Sequence, residues 1–131
     1  MSVTVVLADD HPIVRQGLRH LLEAESNLRV VGEASNGLVA VQLAEKLMPN
    51  VLVVDLVMPE LNGLEVLKQV KERSPATCCI VLSMQSAEVY VVEALKAGAL
   101  GYVLKETGPG ELVNALHRVI SGQRYLSPGL S

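Results

Sequence analysis

A doubly wound α/β domain built on a parallel sheet is predicted by three observations. Extended and helical hydrophobic patterns alternate from one end of the 131 residues to the other. The extended runs VTVVLA, VLVV and CCIVL are almost wholly apolar, as strands covered on both faces require. Four runs also stop on a polar residue: Asp9-Asp10, Asp55, Ser83 and Lys105. Parallel strands of one sheet would carry all of these to a single crevice at its carboxyl edge.

The elements follow in order. Thr4 to Ala8 is an apolar, β-branched first strand. Pro12, with Asp10 or His11 as the candidate cap, opens a helix whose stripe is Val14, Leu18, Leu21 and Leu22. Leu28 to Ala34 is a more polar second strand, fit for a sheet edge. Leu38 to Met48 has Val39, Ala40, Leu43, Ala44 and Leu47 on one helical face and stops at Pro49-Asn50. Val51 to Val54 is the third strand, followed by the turn-rich LVMPELNG. Val66, Leu67 and Val70 face a third helix inward until Ser74-Pro75.

Cys78 to Leu82 is the fourth strand, and Ala87 to Ala97 a helix closed by Gly98. Tyr102 to Leu104 is a short fifth strand. Leu112, Val113, Leu116, Val119 and Ile120 stripe the last helix, which Gly122 ends. Right-handed crossovers make the flavodoxin-like (βα)5 arrangement economical, with strand order 2-1-3-4-5 and a switch point between strands one and three. Residues 1–122 are therefore expected to form one domain. Residues 123–131, in the Gly-, Ser- and Pro-bearing GQRYLSPGLS, read as the start of a linker.

Composition narrows the function. A net charge of −3 and only three aromatic residues, all tyrosine, argue against nucleic-acid binding by the domain itself. No apolar block approaches the roughly 20 residues that cross a bilayer. The N-terminus lacks a basic region and meets carboxylates within ten residues, unlike a signal peptide. A cytoplasmic protein is expected. Cys78 and Cys79 are adjacent within a strand and face opposite sides, so they read as reduced packing residues.

At the crevice, Asp9, Asp10 and Asp55 would repel one another unless a cation neutralised them. Magnesium takes oxygen ligands and often bridges to substrate phosphates. Lys105 supplies a point charge for a phosphoryl oxygen and Ser83 a switchable hydroxyl. A carboxylate can itself be the nucleophile and form an aspartyl phosphate. Asp55 is the candidate, because it ends the central strand and heads a loop shaped by Pro59, which fixes a dihedral, and Gly63, which permits a tight turn. His11 beside the acidic pair reads as a surface-turn residue, since magnesium prefers oxygen.

These pieces together resemble a response-regulator receiver domain of bacterial two-component signalling, from residue 3 to about 122. The matching parts are Asp9-Asp10, VVDLVMPELNG around Asp55, Ser83, and Lys105 preceded by Gly101-Tyr102. ADDHPIVRQGLRHLLE and GQRYLSP further resemble the NarL/FixJ-type subfamily, with its LuxR-type output domain.

The resemblance implies that Asp55 accepts a phosphoryl group from a sensor histidine kinase or a small acyl phosphate. It implies Mg2+ held by Asp10, Asp55 and the Val57 backbone carbonyl, with Asp9 acting through water. Lys105 and Ser83 would bind the phosphoryl group, and Tyr102 would turn from exposed to buried behind it. It implies a phosphoacceptor that assists its own phosphorylation and dephosphorylation, not an enzyme with an external substrate. DNA would be reached only through a C-terminal helix-turn-helix domain outside this chain. A homodimer is also implied, through the first and last helices or the helix-four face.

Two positions depart from the common pattern: Glu106 follows Lys105 where proline is frequent, and Met84 is bulkier than the usual residue after Ser83. They leave room for a receiver-like module without phosphoryl control. A magnesium-dependent phosphatase is the enzyme reading, weakened because its usual Asp-x-Asp pair is here adjacent.

Overall fold

The computed structural model describes residues 2–130. Met1 and Ser131, the ends of the two expected segments, lie outside the described residues. The strands are β1 (Val3–Ala8), β2 (Leu28–Ala34), β3 (Val51–Val54), β4 (Cys78–Ser83), β5 (Gly101–Leu104) and β6 (Tyr125–Leu126). The helices are α1 (Pro12–Glu23), α2 (Gly37–Leu47), α3 (Gly63–Arg73), α4 (Glu88–Ala97) and α5 (Pro109–Ile120), with a 3-10 turn at Lys105–Thr107. The sheet is parallel throughout, in the order β2-β1-β3-β4-β5-β6. The expected order is observed, with β2 at one edge and one strand more at the other.

Alternation within the apolar runs builds two cores. Val6, Leu52, Val54, Val81 and Tyr102 face one side, packed with Ala40 and Ala44 of α2, Val66 and Val70 of α3 and Ala94 of α4. Val5, Leu7, Val53, Ile80 and Val103 face the other, packed with Leu22 of α1 and Leu112, Leu116 and Val119 of α5. Cys79 belongs to the first core and Cys78 to the second, and both are free thiols. Burial, with the neighbouring Cys78 adding to it, pushes the Cys79 thiol up to about 12.

Several local details differ from expectation. Only Leu22 of the predicted α1 stripe is fully buried, while Val14 is 37% exposed. α2 starts one residue early because Asn36 caps it, its side-chain oxygen accepting from the Val39 amide at 2.9 Å. Asn62 caps α3 in the same way, accepting from the Glu65 amide at 3.0 Å.

The stretch after α5, expected as featureless linker, adds β6 to the sheet. The Tyr125 amide donates to the Leu100 carbonyl at 3.1 Å and the Ser127 amide to the Tyr102 carbonyl at 3.0 Å. The β5 edge would otherwise present these carbonyls unpaired. No helix among the described residues is long and apolar enough to cross a membrane.

Candidate functional site

The polar ends of β1, β3, β4 and β5 meet at one edge of the sheet. A cleft of about 280 Å3 is lined by Asp10, His11, Asp55, Val57, Ser83, Met84, Gln85 and Lys105. Asp9 and Asp55 are 3% and 6% exposed, deep for carboxylates. Their counter-charge is Lys105, whose Nζ donates to Asp55 Oδ2 at 2.7 Å and to Asp9 Oδ2 at 2.9 Å. Burial alone would raise the Asp9 carboxyl, but the Lys105 ammonium and the His11 amide outweigh it and hold its pKa below the usual value. Burial likewise disfavours the charged Lys105, and its bonds to Asp55 and Asp9 reverse this and raise its pKa.

Asp55 is held from two sides. Its amide donates to the Ala8 carbonyl at 3.1 Å, and its Oδ1 accepts from the Val57 amide at 3.1 Å. The following loop folds back through the Pro59 carbonyl, which accepts from the Leu61 and Gly37 amides at 2.8 and 3.2 Å. Left-handed backbone in this loop falls on Glu60 (φ 69°), not on Gly63. Gly63 serves by close approach instead: a Cβ there would lie 2.4 Å from the Asp55 carbonyl oxygen and 2.6 Å from Leu56 Cα. Gly37 meets the same loop, since its Cβ would lie 1.9 Å from the Leu61 carbonyl oxygen.

Ser83 is buried and its hydroxyl accepts from the Gln85 amide at 3.0 Å. Tyr102 is fully buried and donates its hydroxyl to the Gln85 carbonyl at 2.6 Å. It therefore occupies the inward position of the expected swing. Burial raises its phenol pKa above the usual value. Tyr102→Phe is expected to lose about 1 kcal/mol, the net worth of that hydrogen bond. Urea unfolding measures it, and an unchanged midpoint would show that the hydroxyl contributes nothing there.

The donor set suits a divalent cation. Among the described residues Asp10 Oδ1 is buried with no hydrogen-bond partner, and Asp9, Asp10, His11 and Asp55 each offer an atom within 4.8 Å of the others. His11 is the exposed N-cap residue of α1, in keeping with a surface turn, and its Nδ1 lies 3.1 Å from Asp9 Oδ1 and 3.2 Å from Asp10 Oδ1. The second contact is close but misaligned, so Asp10 Oδ1 stays without a donor. Asp10, Asp55, Ser83, Lys105 and Val57 thus reach one cleft, Asp9 joins through Lys105, and Tyr102 lies behind Ser83 by way of Gln85. Met84 lines the cleft and is largely exposed.

Arg15 escaped the sequence reasoning. Its Nη1 donates to the Asp9 carbonyl at 2.7 Å while its Nε holds Glu33 at 3.1 Å, so it ties the acidic turn to β2. The available signal was its place one helical turn past His11.

Comparison with known proteins adds the family. The response regulator receiver domain family matches residues 5–117. The nitrate/nitrite response regulator protein NarL of Escherichia coli K12 is 44% identical over 128 residues, which are 98% of this chain and 59% of that protein. The chain thus spans about three-fifths of the curated relatives it matches. A LuxR-family two-component response regulator from Aurantimonas sp. SI85-9A1 superposes with a TM-score of 0.95 at 34% identity, covering 99% of this chain and 93% of that one. The isolated receiver domain of RcsB from Salmonella enterica serovar Typhimurium, solved with the phosphomimetic BeF3-, gives 0.91 at 32% identity, covering 99% and 96%.

Proposed function

The chain belongs to the response regulator receiver domain family, and from that premise we propose that Asp55 is its phosphoacceptor, switched by a sensor histidine kinase. The observation that carries this reading is the Lys105 ammonium 2.7 Å from a buried Asp55 carboxylate, beside the orphaned Asp10 oxygen. An Asp55 oxygen attacks the phosphorus of a phosphohistidine, the P–N bond breaks, and the imidazole leaves with the bonding pair. A small acyl phosphate reacts in the same sense, with carboxylate as leaving group.

Asp10, Asp55 and the Val57 carbonyl would hold Mg2+, with Asp9 acting through water. When bound, the ion supplies charge neutralisation for the incoming phosphoryl oxygens. Lys105 moves from the carboxylates to the new phosphoryl oxygens, and the Ser83 hydroxyl becomes a donor to them. Phosphorylation brings roughly −1.5 to −2 charges and three acceptor oxygens to a crowded cleft. The domain is in this reading a phosphoacceptor that assists its own phosphorylation and dephosphorylation.

Residues 123–131 begin a linker in this reading, and a longer parent carries a C-terminal DNA-binding domain through which transcription is regulated. The protein would work in the cytoplasm. Exposed Ile13 and Val14 on α1, Ile120 on α5, and Val89 and Val92 on α4 support a homodimer through one of those faces.

Intact-protein mass after incubation with acetyl phosphate and magnesium tests the assignment. One phosphoryl adduct is expected, absent in Asp55→Asn and absent without magnesium. An equal adduct in the variant would remove Asp55 from the reaction. A phosphorylation-independent module is the second reading, favoured by the already inward Tyr102 and by Met84 at the cleft. An amide spectrum unmoved by beryllofluoride would select it.

A further inference from the structure

Residues 124–130 are fastened to the peptide from which Lys105 projects. The Leu104 amide donates to Ser127 Oγ at 2.9 Å, and the Leu104 carbonyl accepts from Thr107 Oγ1 at 2.7 Å. Both hydroxyls also converge on one oxygen of Glu111. Ser127 donates to Glu111 Oε1, and Thr107 Oγ1 lies 2.9 Å from the same atom. The single Thr107 hydrogen is therefore shared between Leu104 and Glu111. Ser127 is 1% exposed and stands where a ladder partner would be, so its departure would orphan the buried Leu104 amide.

A second attachment runs through Tyr102. Its carbonyl accepts from the Ser127 amide at 3.0 Å, and Leu126 and Leu130 pack against the core that contains its ring. The strap therefore covers Tyr102 in its inward position and grips Leu104 beside the lysine. A cleft of about 290 Å3 separates Leu126 and Leu130 from Val91, Val92 and Leu95 of α4. The strap thus leans on β5 and α5 and leaves the α4 side open.

We propose that Glu111, Thr107 and Ser127 are positioning residues forming a latch through which docking of residues 124–130 and engagement of Lys105 with a phosphorylated Asp55 favour each other. The inference rests on Asp55 as phosphoacceptor and goes beyond it by naming the element that reads the event. Lys105 drawn to a phosphoryl oxygen fixes Leu104, Leu104 fixes Ser127, and Ser127 holds the strap over Tyr102. Linkage makes the effect reciprocal, so a docked strap strengthens phosphoryl binding by the same factor. In the longer parent proposed above, this strap is the first stretch of the linker.

Amide hydrogen exchange, read by NMR on this chain with and without beryllofluoride and magnesium, tests the latch. In the wild type, beryllofluoride should slow exchange at Tyr125, Ser127 and Leu130, whose amides bond to Leu100, Tyr102 and Ser127, about 5-fold or more, the lower end of common coupling factors. Glu111→Ala should abolish that slowing while Ser83 and Lys105 still respond, and should weaken beryllofluoride binding by the same factor. Glu111→Gln, which keeps the acceptor oxygen, should retain most of both.

A wild-type strap indifferent to beryllofluoride while Ser83 and Lys105 respond overturns the latch and leaves the phosphoacceptor intact. A strap response that persists in Glu111→Ala also overturns it. Silence at every residue of a folded wild type sinks both readings together.

Discussion

Gly63→Ala is expected to destabilise the domain by about 3 kcal/mol or more and to displace the Asp55 backbone with it. The magnitude follows from what the added methyl meets. The Asp55 carbonyl oxygen would lie 2.4 Å away and Leu56 Cα 2.6 Å away, both backbone atoms without rotamers to escape through. Relief requires α3 to back away from β3, and Val66, Leu67 and Val70 hold it there in the core. Because the obstructing peptide is that of Asp55, beryllofluoride affinity should fall beyond what the lost stability explains. Gly17→Ala is the matched control: among the described residues nothing lies within 4 Å of its Cβ position on α1, so helix propensity should raise stability by roughly 0.5–1 kcal/mol. Urea unfolding of the two variants settles the contrast, and a Gly63→Ala protein within 0.5 kcal/mol of wild type would refute close approach as the reason for that glycine.

The same loop shows where sequence reasoning reaches and where it stops. Strand ends were legible because burial on both faces demands unbroken apolar residues, and the run must end where a charge can reach the cleft. Asp9-Asp10, Asp55, Ser83 and Lys105 are those breaks. Gly63 was legible as special, but for the wrong reason. Local pattern suggests a turn residue, whereas the constraint is a distance to a chain segment on another element.

Gly37 carries no local signal for a similar reason, since its obstacle, Leu61, is 24 positions away (61 minus 37). His11 is exposed at the N-cap of α1, as a surface-turn residue should be, while its approach to two carboxylates depends on a side-chain rotation that spacing does not encode. β6 has only two residues, too few to display a period of two, and it exists because the β5 edge offers partners. The predicted α1 stripe overstates burial: helical spacing identifies a face but does not say how much of the helix a neighbour covers.

Lys105→Met should cost about 3–5 kcal/mol at neutral pH, the range for removing one partner of a buried ion pair. Asp9 and Asp55 would keep their burial and lose their counter-charge. The pH dependence identifies the cause. In the wild type the folded Asp9 pKa lies below its ordinary value, so its contribution is present above about 3.8 and drains away as pH falls through the folded value. Lys105 runs oppositely: its folded pKa is raised, so its contribution is complete below 10.5 and is lost as pH rises through the folded value. The pair is therefore at full strength across the neutral range.

In Lys105→Met the sign for Asp9 turns over. Burial, the largest influence on this carboxyl, is no longer outweighed once the ammonium is gone and pushes its pKa up, so the folded state takes up a proton there more readily than the unfolded chain. The variant's deficit should shrink as pH falls toward about 4. Magnesium should raise the variant's own stability by about 2.7 kcal/mol at a hundredfold excess over its dissociation constant, and should shrink the deficit to the extent that the variant, lacking the competing ammonium, binds the ion more tightly than the wild type. Thermal or urea unfolding across pH, with and without magnesium, reads both effects. A deficit indifferent to both would mean that it does not arise from carboxylates left without a counter-charge, and the electrostatic account of the site would fall.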